Sequence, residues 1–265
     1  MKSERGTFSP LLLAIDVGNT NVVLGIFDGR QLIHHWRLTT SVSRTSDEAW
    51  IILNFLCQAQ QVDPGRFSGM AISSVVPDLT SVFADMAREH FDLVPYEVRA
   101  ETAPSLRIHY RDPTAVGADR ICNAVAGYEK YGGPLIVVDF GTATTFDVIN
   151  AAGEYLGGII TPGVELAQKI LHASAARLPK VPLQFPLKVI ADTTETSIQA
   201  GLLFGAVDEM EGLCRRIWDE LGQRGKVITT GGLSPAITAH SRMIDAVEPF
   251  LVLEGLRILF ERHGA

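Results

Sequence analysis

Residues Asp16-Val17-Gly18-Asn19-Thr20-Asn21 put a carboxylate directly after the apolar run Leu11–Ile15 and follow it with a glycine and small polar side chains. A charge at the end of a buried strand is costly unless it has a partner. Gly18 lets the chain turn sharply, and Asn19, Thr20 and Asn21 then offer amides and hydroxyls toward one point. That set suits Mg²⁺ with phosphate: hard oxygen for the metal, N–H donors for phosphate oxygens. The plainer alternative is a hairpin turn with an Asx cap. A second copy, Asp139-Phe140-Gly141-Thr142-Ala143-Thr144-Thr145, repeats the pattern. Two such hairpins facing each other across a cleft would grip a polyphosphate from both sides. A third turn, Thr229-Thr230-Gly231-Gly232-Leu233-Ser234, could pass close to a nucleotide base or sugar, or be a plain strand–helix connection.

Asp119 and Arg120 lie side by side in Gly117-Ala118-Asp119-Arg120. Read from the residues alone, they form an exposed ion pair at a helix start, worth roughly 0–1 kcal/mol. Cys122 follows on the same expected helix and reads as a buried small apolar residue, not a nucleophile. His109 reads as a surface or packed histidine. His34 and His35 occupy neighbouring strand positions, whose side chains point to opposite faces, so they form no simple ligand pair.

These residues need sheets to hold them. LLLAID, VVLGIFDG and QLIHHWRL, separated by glycine-containing turns, predict three strands. Thr45 and Glu48 at capping-box spacing predict a helix start, with Trp50, Ile51, Phe55 and Leu56 on its apolar face. GMAISSVVP predicts a buried strand stopped by Pro77, followed by a helix over 78–91 and a short strand over 93–98. Helices are expected over 164–173, 194–222 and 250–262, and a strand at KVITTGG. On the long helix, Glu209–Arg216 reads as a solvated face. Leu202, Leu203, Val207 and Met210 fit either core or a dimer seam. The second half overlies the first at an offset of 123, Asp16 on Asp139, which indicates a duplicated lobe. Alternating strands and helices predict an α/β fold. Pro and Gly clusters near 104–117 place the boundary between lobes 11–115 and 116–265.

The whole chain fits this plan. Its 265 residues allow two lobes of roughly 130. Net charge −7 argues against nucleic acid as a partner. Three cysteines without a CxxC argue against a disulfide framework or thiolate zinc site. Residues 1–10 read as a frayed leader. The run Leu11–Ile15 is too short for a signal-peptide core, and no stretch approaches the roughly 20 apolar residues of a membrane span. The expectation is a soluble, cytoplasmic protein with no membrane partner.

Four segments together resemble type III pantothenate kinase, of the acetate kinase, sugar kinase, Hsp70 and actin superfamily. They are DVGNTNVVLGIFDG at 16–29, GADRICNAVAGY at 117–128, VVDFGTATTFDVI at 137–149 and GGIITPGVELA at 157–167. TETSIQAG at 194–201 and the TTGG turn fit as well, so the likeness covers nearly all of the chain after the first ten residues. It implies duplicated ribonuclease-H-like lobes with an interlobe cleft, and a homodimer. It implies transfer of the γ-phosphoryl of ATP to pantothenate, giving 4′-phosphopantothenate, the first step of coenzyme A synthesis. The implied cofactors are Mg²⁺ with ATP and a monovalent cation, K⁺ or NH₄⁺. Carried over by position, Asp16, Val17, Gly18, Asn19, Thr20, Asn21, Val22 and Val23 form the phosphate loop, with Asp16 near Mg²⁺ through phosphate. Thr142 touches ATP. Asp119 is the general base. Gly117, Ala118, Asp119 and Arg120 contact pantothenate, with Tyr110 and Thr194 nearby, and Asp139 holds the monovalent cation. Two other functions compete: a kinase for another small hydroxyl substrate, and a non-enzymatic transcription accessory factor. The latter would fit a damaged Asp16 or Asp119 or an added basic segment, and this sequence has neither.

Overall fold

The computed structural model describes residues 10–175 and 177–264, so the leader read at 1–10 lies outside it but for Pro10. Two compact units interleave along the chain. The first comprises residues up to Ser105, Asp112–Ala126 and Val252 onward; the second comprises Leu106–Arg111 and Gly127–Leu251. The sequence reading made a single cut after 115; the chain instead changes unit four times.

In the first unit, β1 (Leu11–Val17), β2 (Asn21–Asp28) and β3 (Gln31–Thr39) form an antiparallel meander. β4 (Phe67–Ser74) lies parallel to β1, and β5 (Tyr96–Glu97) parallel to β4, giving the order β3-β2-β1-β4-β5. β1 is buried along nearly its whole length, as its unbroken apolar run requires of a strand covered on both faces. α1 (Ser46–Ala59) starts at Thr45 with both capping-box hydrogen bonds formed. Its buried face is Ala49, Leu53 and Cys57, whereas Ile51 and Phe55 are 58% and 70% exposed. The expected apolar face is therefore wrong: Trp50 and Leu56 only flank the core, and Trp50 stacks on His90 of α2 (Pro77–Phe91) at 4.5 Å. Pro77 opens α2, where its missing N–H costs nothing. α7 (Leu251–His263) closes this unit, with Leu253 over Gly25 of β2 and Phe260 over Gly69 of β4.

The second unit repeats the plan. β6 (Leu135–Phe140), β7 (Ala143–Ile149) and β8 (Tyr155–Pro162) form an antiparallel meander. β9 (Lys226–Thr230) lies parallel to β6, and β10 (Ala246–Val247) parallel to β9. The order β8-β7-β6-β9-β10 matches that of the first sheet, so the duplication read from the sequence extends to topology. α4 (Val164–Ser174) follows β8. α5 (Thr194–Leu221) is a 28-residue helix capped by Thr193, with a reciprocal box to Thr196. Leu203, Val207 and Met210 are buried in the unit's core with Phe146 and Cys214, and Leu202 packs against it. Leu203, Val207 and Met210 are therefore core. Glu209, Arg215 and Arg216 are exposed, as the solvated-face reading required. All three cysteines are free and buried. Among the described residues, no helix is long and apolar enough to cross a membrane.

Candidate active site

The first unit builds a carboxylate-centred site at the end of β1. The turn Gly18–Thr20 is closed by Gly18 N–H donating to Asn21 O at 2.9 Å. Thr40, just after β3, braces it: its hydroxyl donates to Gly18 O at 2.6 Å and its N–H to Thr20 O at 3.0 Å. Val17 and Val22 send their side chains into the core, so only their backbone is available on the hairpin, while Asn19 and Thr20 are exposed. Asp16 ends the run half-buried. Ser73, its register partner on β4, lies on the same face and donates its hydroxyl to Asp16 Oδ1 at 3.0 Å.

α3 (Ala118–Tyr131) brings the second carboxylate. Gly117 O accepts from Ile121 N–H at the helix start, and Asp119 stands in the first turn, where a helix favours negative charge. Asp119 Oδ1 accepts from the Arg120 N–H at 2.8 Å. Burial pushes the Asp119 carboxyl above the usual aspartate range, and the Arg120 N–H and guanidinium pull it only partly back. Arg120 is 6% exposed, so the two are not an exposed pair at a helix start. Cys122 is fully buried. Its thiol is pushed far up by burial and then by the Asp16 and Asp119 carboxylates, with a Ser73 hydrogen bond acting against them. It therefore stays a protonated, inert thiol. Both carboxylates act on that one thiol, so the Asp16 hairpin and the Gly117–Arg120 segment lie near it. Sequence reasoning missed Ser73 and Thr40. The available signal was a hydroxyl residue at the end of a buried strand beside the Asp16 strand.

The second unit repeats the hairpin with different neighbours. Asp139 is half-buried between the buried Val138 and Phe140 of β6, and the turn Gly141-Thr142 is exposed. Gly141 N–H donates to Ala143 O at 3.2 Å, and Gly163 N–H, at the start of α4, to Thr142 O at 3.2 Å. Asp139 is in register with Thr145 of β7 and Thr230 of β9, so two hydroxyl residues flank it on one face. Thr230 is the counterpart of Ser73. Next to it Gly231 adopts φ +89°, and a Cβ there would lie 2.5 Å from Asp139 Oδ1, so a side chain is excluded twice over. The third turn thus packs against the second carboxylate. This all-oxygen set fits a hard cation. Tyr110 lies beside Tyr155, ring centroids 6.4 Å apart. Thr194, exposed at the start of α5, lines a cavity of about 700 Å³ with Leu171, Leu178, Ile198 and Leu202. Asp139 and Thr142 thus share one turn; Tyr110 and Thr194 stand on other elements. Hydroxyl-flanked carboxylates and an exposed amide-rich hairpin, with no activated nucleophile beside them, suit a reaction run by positioning and charge neutralisation, as phosphoryl transfer is.

Comparison with known proteins agrees. The chain is 49% identical over 253 residues to a type III pantothenate kinase of Anaeromyxobacter sp. (strain K), covering 96% of this chain and 100% of that one. Among solved structures it is similar to a Campylobacter jejuni protein described as a Baf family transcriptional activator, with TM-score 0.61 and 19% identity, covering 95% and 98% of the two chains. It is also similar to a ROK hexokinase from Thermus thermophilus, with TM-score 0.52 and 12% identity, covering 94% and 98%. At these identities the structural likenesses show the fold alone: an α/β chain with two five-stranded sheets of the same strand order. The family model for type III pantothenate kinase matches residues 12–216. The chain belongs to the type III pantothenate kinase family.

Proposed function

We propose that this chain transfers the γ-phosphoryl of ATP to the primary hydroxyl of pantothenate, forming 4′-phosphopantothenate and ADP, with Asp119 as general base. The observation that carries the base assignment is the Asp119 carboxyl, raised by burial and placed with Asp16 around one buried thiol. A base displaced toward neutrality accepts a hydroxyl proton better than an ordinary aspartate does. As the hydroxyl oxygen attacks the γ-phosphorus, its proton passes to Asp119 and the bond to the β-phosphate oxygen breaks. Arg120 pairs with the pantothenate carboxylate, and Gly117, Ala118, Tyr110 and Thr194 complete the substrate contacts. The 16–23 hairpin and Thr142 bind the ATP phosphates, those valines through backbone.

Two cations belong to this reading. Asp16 would face the Mg²⁺ that accompanies ATP, which would offset phosphate charge. Asp139, with the Thr145 and Thr230 hydroxyls in register, would hold K⁺ or NH₄⁺, which lowers the cost of charge around the phosphates. The protein is cytoplasmic and works as a homodimer, with neither nucleic acid nor membrane as a partner. The exposed Leu166, Ile170 and Leu171 on α4 support self-association. Sedimentation should give twice the chain mass of 28.8 kDa.

The test is a mass-spectrometric assay for 4′-phosphopantothenate with ATP and Mg²⁺, in potassium, ammonium or sodium. Product that needs potassium or ammonium and is lost in Asp119→Asn establishes the reading. No product under any cation overturns it.

A further inference from the structure

Residues 106–111 are laid along the first residues of β8. Tyr155 N–H donates to Arg107 O at 2.9 Å, and His109 N–H donates to Tyr155 O at 2.8 Å, around a parallel bridge of Ile108 with Tyr155. One carboxylate secures the side chains. Glu154 Oε1 accepts from Arg107 Nη1 at 3.1 Å, and Oε2 lies 3.0 Å from His109 Nε2 and 2.8 Å from Asn150 Nδ2. Glu154 is itself fixed in the β7–β8 turn, because its N–H donates to Asn150 Oδ1 at 2.9 Å. Its carboxyl is held below the usual glutamate range, first by the Asn150 bond and then by His109, consistent with a carboxylate committed to donors. The next residue is Tyr110. Its ring stands against Tyr155, whose hydroxyl donates to the fully buried Asp147 at 2.9 Å. Gly157 lies against the Tyr110 ring, and its φ of +130° is one that a side chain would strain.

We infer that Glu154 is a positioning residue for substrate binding, tying Arg107 and His109 to β8 so that the Tyr110 ring is set before pantothenate arrives. The inference rests on the proposed substrate contact of Tyr110. It also assigns His109, which is a tether here and no substrate group. A binding wall fixed in advance costs less ordering on association, so its loss falls on KM and leaves the chemical step alone.

The test compares Glu154→Ala, Glu154→Gln, Arg107→Ala/His109→Ala and Tyr110→Ala. Glu154→Ala and the Arg107/His109 pair should each raise KM for pantothenate about threefold to tenfold, the scale of a few exposed charge-assisted bonds. In both, kcat and KM for ATP should stay at wild-type values, and hydrogen exchange at the His109 amide should quicken. The double variant leaves the β7–β8 turn intact, so agreement between the two separates tethering from damage to that turn. Glu154→Gln keeps acceptors for Asn150 and His109 and should recover part of the loss. A raised KM in Tyr110→Ala alone overturns the tether. Unchanged KM in every variant overturns the Tyr110 contact as well as the tether.

Discussion

Asp119 works against the stability of its own unit. Its carboxyl is raised by burial, so between the unfolded and folded values the folded chain binds more protons. Stability then falls as pH rises through that window, and the whole cost is present above it. Asp119→Asn removes the charge and keeps the shape. Thermal unfolding of that variant should occur above the wild-type temperature at pH 8. The gap should close as pH drops to about 3.9, where the unfolded carboxyl also protonates. The same variant should lose roughly 10²–10⁴ in kcat with little change in KM for pantothenate. In the wild type, the acid limb of kcat/KM should titrate above an ordinary aspartate. Ser73 makes the opposite contribution, because its hydroxyl satisfies Asp16. Ser73→Ala strands part of that carboxylate, at about 1–3 kcal/mol. It should lower the melting temperature and raise KM for Mg·ATP, while Ser73→Thr restores both.

Local elements were legible in the sequence where their signals are local. The capping box at Thr45 and Glu48 formed as its spacing requires. Thr45→Ala should cost about 1 kcal/mol and a few degrees of melting temperature, leaving turnover at the wild-type level. The two Asp–x–Gly hairpins were legible for the same reason: strand, glycine and polar turn are adjacent in the chain. What the sequence hid depends on register between distant strands. Ser73 and Thr230 matter because β4 and β9 lie beside β1 and β6 in one particular alignment. Thr40 matters because the end of β3 returns to the Gly18 turn. The apolar face of α1 was misread because apolar character alone does not say which side of the helix meets the sheet: Ile51 and Phe55 are apolar yet face solvent. Ala49, Leu53 and Cys57, four apart, fill the core instead.

The interleaved division of the chain makes a test at the scale of the molecule. The first unit needs three separate segments, including the start of α3 and nearly all of α7. Chains cut after 115, the boundary expected from Pro and Gly clusters, should therefore fail to fold as isolated halves. Far-ultraviolet circular dichroism and urea unfolding of the two fragments check this: a cooperative transition in residues 11–115 alone would show the unit to be self-sufficient.

That division also imposes an order on biosynthesis. β1 and the Asp16 turn leave the ribosome early, yet the helix that covers Gly25 and Gly69 is made more than 200 residues later. Until then the sheet bearing Asp16 carries an uncovered apolar face, and a growing chain in that state is open to aggregation or chaperone capture. The second unit, nearly continuous from Gly127 to Leu251, is finished first although it is encoded second. Translation that stalls after Leu251 should release a chain with the second unit formed and the sheet bearing the Asp16 hairpin still lacking its covering helix.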